Sequence, residues 1–200
     1  MFRFFTKLGF LLLLAHMLAS AYILPGLAQT QPAPTLPNDE LHSPKTPQQT
    51  TPMRVQILSA TSFMDIATNV TYRLYGIDAC ELTQTAILTR QVWPCGVVAT
   101  AWMVSATLNK WVACTPIRQD DKVQVARCAT GEYPDMAAEM LKAGLAVSLP
   151  NPQDQYIKSY AEIETAAKTA YRGVWGSQFQ MPWAYRASQT AIPPLRIFPQ

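Results

Sequence analysis

The sequence predicts an α+β domain over residues 53–188, from three observations. Short segments of alternating apolar and polar residues, which are typical of strands, fill much of its first half. One segment with helical spacing interrupts them in mid-chain, and two more follow near the end. The chain shows no internal repeat, so we expect one domain with a mixed core.

The clearest strand prediction covers residues 70–77, where apolar and polar side chains alternate. Residues 54–63 predict a strand before it, and Thr68 and Asn69 suit a hairpin turn between the two. The remaining strand and turn predictions are residues 110–115, 118–121 and 122–129.

Helical spacing occurs over residues 96–108, 135–143 and 155–172. Asp135 suits the N-cap of the second of these helices, and Gly144 suits its C-terminal end. Gly173 marks the end of the third helix in the same way. We therefore expect about three helices to pack on the strands.

Residues 1–28 predict a signal peptide, with Arg3 and Lys7 before an apolar run over residues 8–18. Small residues suited to cleavage precede both Tyr22 and Gln29. The alternative is an N-terminal membrane anchor, because the apolar stretch is at the short edge of what spans a bilayer. After cleavage we expect no stable membrane span, and the expected location is secreted or periplasmic.

Residues 29–52 are rich in proline, and large apolar side chains are scarce there. Such a segment cannot bury enough apolar surface to offset the entropy of ordering it, so we interpret it as a disordered linker. Residues 189–200 form a C-terminal tail in this interpretation.

Charge and histidine content exclude several classes of function. The formal charge is +3, from 16 Lys and Arg against 13 Asp and Glu; leaving out Arg3 and Lys7 gives 14 against 13, or +1. Binding of nucleic acid by bulk charge is therefore excluded, and phosphate binding would need a local patch. His16 and His42 both precede residue 53, which excludes a histidine-based triad, zinc site or haem ligand in the folded part.

Residues 72–82, Y-R-L-Y-G-I-D-A-C-E-L, resemble the R-L-x-G-I-D-A-P-E signature of the thermonuclease (staphylococcal nuclease-like) family. Further motifs resemble its exported bacterial branch: W-P-C-G at residues 93–96, V-A-R-C at residues 125–128, and R-G-V-W at residues 172–175. The resemblance extends over residues 54–186. It implies an OB-fold, that is, a five-stranded barrel with packed helices, which can bind oligonucleotides.

The same resemblance implies the site residues. Arg73 corresponds to a phosphate-binding arginine of the family, Asp78 to an aspartate that holds calcium, and Glu81 to the glutamate beside the attacking water. Arg73 lies near the end of a predicted strand and the two acids follow in the loop. We therefore expect all three at one mouth of the barrel.

Two family positions are not filled. Thr61 stands where the family has its other metal-binding aspartate, and Asp65 is the acid nearest to it. Val123 stands where the family has its second arginine, with Lys122 as a poorly placed substitute. One carboxylate makes a weak calcium site, and a lost preorganised charge at such a site typically costs about 10²–10³ in rate.

Three interpretations follow from these departures. The favoured function is a catalytically weakened, exported domain that binds nucleic acid or another phosphate-bearing partner, with single-stranded DNA or RNA as the expected ligand and no cofactor. The alternative is an active calcium-dependent endonuclease. A purely structural role is also open, in which Arg73 and Glu81 form an ion pair that braces the loop.

The four cysteines lie between residues 80 and 128, and an even number behind an export signal indicates two disulfides with three connectivities. Cys114 and Cys128 lie on neighbouring strand segments, so we pair them, which leaves Cys80 with Cys95. A catalytic role for Cys80 is disfavoured because its acidic neighbours raise a thiol pKa.

The aromatic residues of the C-terminal segment, Trp175, Phe179, Trp183 and Tyr185, are interpreted as packing over helices, with base stacking as the alternative.

Overall fold

The computed structural model describes residues 48–150 and 154–190, and their fold is α+β as predicted. The strands are β1 (Val55–Ile57), β2 (Ser62–Asp65), β3 (Thr71–Leu74), β4 (Ile77–Asp78), β5 (Ala86–Leu88), β6 (Gln91–Trp93), β7 (Ala113–Asp120), β8 (Val123–Ala129) and β9 (Val147–Ser148). The helices are α1 (Cys95–Thr107), α2 (Met136–Lys142), α3 (Gln155–Thr169) and α4 (Pro182–Thr190). The predicted leader, most of the predicted linker and the last ten residues of the chain lie outside the described ranges.

The main sheet has five strands in the order β1-β2-β3-β8-β7. Strands β3 and β8 are parallel, and the other neighbouring pairs are antiparallel. Met53, before β1, and Val112, before β7, exchange two backbone hydrogen bonds of 2.8 and 3.0 Å. The two ends of the sheet therefore meet, as expected for the five-stranded OB-type fold.

The single strand predicted over residues 54–63 is wrong, because this segment contains β1, a turn and the start of β2. Within the turn, the Thr61 backbone N–H donates to Ser59 Oγ at 3.3 Å, and the hydroxyls of Ser59 and Ser62 lie 2.6 Å apart. Short hydroxyl side chains that bond to nearby backbone favour turns over strands. The strand predicted over residues 70–77 is likewise divided into β3 and β4 near Gly76, whose φ is +76°.

The β7–β8 hairpin turns later than predicted. Residues 118–121 were expected to form the turn, but Arg118, Gln119 and Asp120 are paired with β8 and belong to β7. The chain reverses at Asp121, whose φ is +53°. The extra length of β7 carries the charged side chains of Arg118 and Asp120 and stays within the sheet, because the β8 residues that it pairs with also pair with β3.

The helix predictions are largely confirmed. Asp135 caps α2 by accepting a hydrogen bond from the Ala138 backbone N–H at 3.1 Å. Helix α3 ends at Thr169 rather than residue 172, because Tyr171 and Gly173 both have positive φ. Helix α4 was not predicted as a helix, so the described residues contain four helices rather than about three.

Among these residues, none of the helices combines the length and the apolar character that crossing a bilayer requires.

The main core lies between the sheet and helices α1, α2 and α3. Its largest fully buried side chains include Phe63, Leu74, Met103, Met140, Leu141 and Tyr160. A second, smaller cluster contains Cys80, Ala86, Cys95 and Val174, with Trp93, Trp175 and Phe179 packed against it. Trp175 and Phe179 therefore serve in packing, as predicted, whereas Trp183 of the same aromatic segment is exposed.

Both predicted disulfides are present, Cys80–Cys95 and Cys114–Cys128. Cys114 and Cys128 lie directly opposite each other in the β7–β8 ladder, inside the main core. Cys80 and Cys95 lie in the second cluster and join the segment after β4 to the start of α1. Two disulfides fit an oxidising, extracellular location.

Candidate functional site

A cavity of about 360 Å³ opens at one end of the sheet, where five parts of the chain meet. These are the β1–β2 turn, the end of β3, the segment from β4 to Glu81, the residue after β9, and helix α4. The lining residues are Ser59, Ala60, Thr61, Ser62, Arg73, Ile77, Asp78, Ala79, Cys80, Glu81, Leu149 and Arg186. We refer to this cavity as the pocket.

The pocket brings together four of the residues singled out in the sequence: Thr61, Arg73, Asp78 and Glu81. Asp78 ends β4, whose partner strand is β9, and Glu81 follows in the next loop. Strand β3 carries Arg73, with Ser62 opposite it on β2. Val123 and Lys122 are absent from the lining and lie at the turn end of β8.

Arg73 does not form the ion pair with Glu81 that the structural interpretation required. Its Nη2 instead donates to Asp120 Oδ2 at 2.8 Å. Asp120 also accepts two hydrogen bonds from Arg118, at 2.8 and 3.1 Å. The hydrogen bonds from Arg118, with the nearby Arg73 charge, hold the pKa of the Asp120 carboxyl below its usual value. The prediction of an Arg73–Glu81 pair is therefore wrong, because the longer β7 presents Asp120 to Arg73.

The partner of Glu81 is Arg186, which also binds Asp78. Arg186 Nη1 lies 2.6 Å from Glu81 Oε1 and 3.2 Å from Asp78 Oδ1, and its Nη2 lies 2.7 Å from Asp78 Oδ2. These bonds, with that to Asp78 making the largest contribution, raise the pKa of the Arg186 guanidinium above its usual value. One guanidinium thus bridges both acids of the pocket.

The sequence did not connect Arg186 with the site, since this residue directly follows Tyr185 in the aromatic C-terminal segment. The signal available was indirect: Asp78 and Glu81 form an acidic pair three residues apart, and the second family arginine is missing from position 123. Neither fact identifies which cation approaches the acids, since more than a hundred residues separate Arg186 from each of them along the chain.

Helix α4 is held against the pocket by contacts beyond the ion pair. Tyr185 Oη lies 3.1 Å from Thr83 Oγ1, and Gln84 Nε2 donates to the Gln180 carbonyl at 2.6 Å. Pro182 at the start of the helix is fully buried. Both Thr83 and Gln84 belong to the loop that carries Glu81, so the helix and this loop are held together.

The W-P-C-G motif fixes the other side of the same loop. Cys95 is bonded to Cys80, and Gly96 packs against the Glu81 backbone. A Cβ at position 96 would lie 1.7 Å from the Glu81 carbonyl oxygen, far inside van der Waals contact. Glycine is therefore required there for the start of α1 to approach the loop.

We expect Gly96→Ala to destabilise the domain by about 2–3 kcal/mol, because the added methyl must displace the loop at Glu81. Gly131→Ala is the matched control, since a Cβ at position 131 meets nothing within 4 Å. Urea denaturation of both variants measures the difference. Equal stabilities of the two variants would contradict the close packing at Gly96.

The residues of the pocket do not fit a calcium ion. Calcium takes six to eight oxygen ligands, with carboxylates prominent among them. The pocket offers Asp78 and Glu81, and both already bind Arg186. Asp65 is buried and accepts hydrogen bonds from Ala67 and Thr68 in its own turn, so it does not replace the missing aspartate at position 61. Within the ranges that the structure describes, no group of three or more His, Cys, Asp or Glu side chains is placed to hold a metal.

The chain shows a clear relation to one known family. The family model for staphylococcal nuclease homologues matches residues 71–177, a segment that includes Arg73, Asp78 and Glu81 but neither Thr61 nor Arg186. No curated protein shows significant similarity to the chain. Since the match covers more than half of the sequence and agrees with the observed fold, the chain belongs to the staphylococcal nuclease homologue family.

Proposed function

We propose that this protein binds the phosphate backbone of single-stranded nucleic acid at the pocket, with little or no hydrolysis. The observation that carries the proposal is the division of charges there. The acids Asp78 and Glu81 bind Arg186, while Arg73 and Arg118 share one carboxylate, that of Asp120. Arg186 therefore neutralises one of the two acidic charges that would repel a phosphate, while Arg73 and Arg118 share a single counter-charge and leave one positive charge beside the pocket.

Arg73 is suited to this role by its exposure. Its side chain is 46% exposed and lines the pocket, and its bond to Asp120 involves one terminal nitrogen. A guanidinium has five N–H donors in a fork that matches phosphate oxygens. Arg118, which is 52% exposed, lies beside it across Asp120. A phosphodiester can exchange with Asp120 for these donors.

Nuclease activity is disfavoured by the composition of the pocket. Thr61 supplies no carboxylate, and Arg186 binds both acids that the family uses for metal and water. The family relation supports nucleic acid as the ligand class, because OB-type folds of this kind bind oligonucleotides. Another phosphate-bearing polymer would satisfy the same donors, so a polyphosphate competitor belongs in the experiment.

We expect the protein to bind a fluorescein-labelled single-stranded DNA equally in calcium and in EGTA, as measured by fluorescence anisotropy. Two phosphate contacts predict a slope of log K against log salt of about −1.4. Arg73→Gln should weaken binding and reduce the magnitude of the slope by about 0.7. Arg90→Gln, at an exposed arginine in the β5–β6 turn and outside the pocket lining, is the matched control.

Three results would contradict this function. Equal weakening by Arg73→Gln and Arg90→Gln would show that binding does not use the pocket. Cleavage of the DNA at ordinary enzyme rates in calcium, abolished by EGTA, would instead establish the active endonuclease. Tighter binding of polyphosphate than of DNA would identify a different phosphate-bearing partner.

We also propose that the chain is exported. The apolar leader with Arg3 and Lys7 supports this, and the two disulfides fit the oxidising compartment that export would provide.

A further inference from the structure

Arg186 lies where a cation would be needed to balance two acids. Asp78 and Glu81 approach each other at the pocket, and Arg186 Nη1 is within hydrogen-bond distance of an oxygen of each. The Asp78 side chain is only 13% exposed. A carboxylate withdrawn from water in this way, beside a second one, requires a compensating positive charge.

The guanidinium is delivered by a docked helix. The contacts of Tyr185 with Thr83 and of Gln84 with the Gln180 carbonyl hold α4 on the loop independently of the ion pair. These contacts fix the segment that carries Arg186 beside the loop, so less backbone entropy is lost when the ion pair forms. The segment that carries Arg186 lies beyond the residues matched by the family model.

We propose that Arg186 is the resident counter-cation of the pocket and takes the place of a divalent ion between Asp78 and Glu81. Helix α4 then acts as an autoinhibitory strap: while it is docked, the two carboxylates are engaged and the pocket has no affinity for calcium. This inference rests on the geometry of the acids and the helix and does not depend on nucleic-acid binding.

The proposal has a direct consequence for the variant Arg186→Gln. Removal of the guanidinium leaves two adjacent carboxylates without a counter-cation, and we expect them to bind calcium no more tightly than the weakest protein sites, with a Kd of about 10⁻³ M. Binding to the folded state alone raises the melting temperature by mass action. At about 10 mM calcium we expect a rise of about 4 °C for this variant and no rise for the parent protein.

The experiment measures the melting temperature of the full chain against calcium chloride, with sodium chloride of equal ionic strength as the reference. Arg90→Gln is the matched control, because it removes a guanidinium outside the pocket lining. The double variant Asp78→Asn/Arg186→Gln should lose the calcium response. This loss would separate binding at the pocket from weak binding elsewhere on the surface.

A calcium response of the parent protein equal to that of Arg186→Gln would overturn the proposal, and so would a folded Arg186→Gln without a response. If Arg186→Gln does not fold, Arg186→Lys decides, because an ammonium keeps the charge but cannot bridge both acids in the manner of a guanidinium. Calcium should raise the melting temperature of Arg186→Lys by less than is expected for Arg186→Gln, and it should not raise that of the parent. A folded Arg186→Lys without such a rise would also overturn the proposal.

Discussion

We expect the triple variant Thr61→Asp/Val123→Arg/Arg186→Gln to cleave single-stranded DNA in calcium at least about 10²-fold faster than the double variant that keeps Arg186. Thr61 lines the pocket together with Asp78, so an aspartate at position 61 adds a carboxylate to the same cavity. Without the third substitution, Arg186 continues to bind Asp78 and Glu81 and can also bind the new acid. Restoring the family residues is therefore insufficient while α4 supplies its guanidinium.

Position 123 is suited to the second arginine of such a variant. Val123 lies opposite Asp120 in the β7–β8 ladder, and Asp120 is the carboxylate that already binds Arg73. An arginine at position 123 thus projects from the same side of the sheet as Arg73, next to Asp120. Asp120 will compete with phosphate for this arginine. The expected increase in cleavage rate is therefore at the low end of what a single charged group contributes at such sites.

The measurement is hydrolysis of a labelled oligonucleotide at high enzyme concentration, in calcium and in EGTA. Adding Glu81→Gln to the triple variant should remove most of the activity gained, which distinguishes recovery of the site from a contaminating nuclease. Equal activity of the double and triple variants would show that Arg186 does not block the site. A parent protein that already cleaves at ordinary rates would refute the weakened site altogether.

The sequence predicts the local parts of this site and misses the part that depends on distant packing. Arg73, Asp78 and Glu81 belong to one continuous motif, so their convergence follows from a strand and the loop after it. The partners of Arg73 and Glu81 come from elsewhere: Asp120 from an unexpectedly long β7, and Arg186 from α4. When a charged side chain could pair with several others, its partner is identified only from the tertiary structure, which shows which of them lies within reach.

The same distinction explains the errors in the fold. Asp135 and Gly144 mark helix ends through local backbone chemistry, and both predictions are confirmed. The short β5–β6 hairpin was missed, and Ile87 in that hairpin pairs with Gln178, far along the chain. Helix α4 was missed because it is only nine residues long, has Pro182 as its buried residue and is held through polar contacts of Tyr185 and Arg186 with a distant loop. Helices and strands that are stabilised by contacts with distant segments show only a weak apolar periodicity in the sequence.

The two disulfides should have different effects on the site although their predicted contributions to stability are similar. They close loops of 15 and 14 residues in sequence separation, which corresponds to about 3 kcal/mol each in the chain-entropy model. We expect Cys114→Ala/Cys128→Ala and Cys80→Ala/Cys95→Ala each to lower the melting temperature by about 10 °C.

The difference should lie in local opening, because the two disulfides join unlike parts of the structure. Cys114 and Cys128 join strands that the backbone ladder already holds in register. Cys80 instead anchors the loop between Asp78 and Glu81, where Gln84 N–H donates to the Glu81 carbonyl and Glu81 N–H donates to Gln84 Oε1. Amide exchange at positions 81 and 84 should therefore accelerate strongly, relative to the rest of the domain, only in Cys80→Ala/Cys95→Ala. Equal acceleration in both variants would mean that the loop is held by the global fold and by α4 alone, without a specific contribution from Cys80–Cys95.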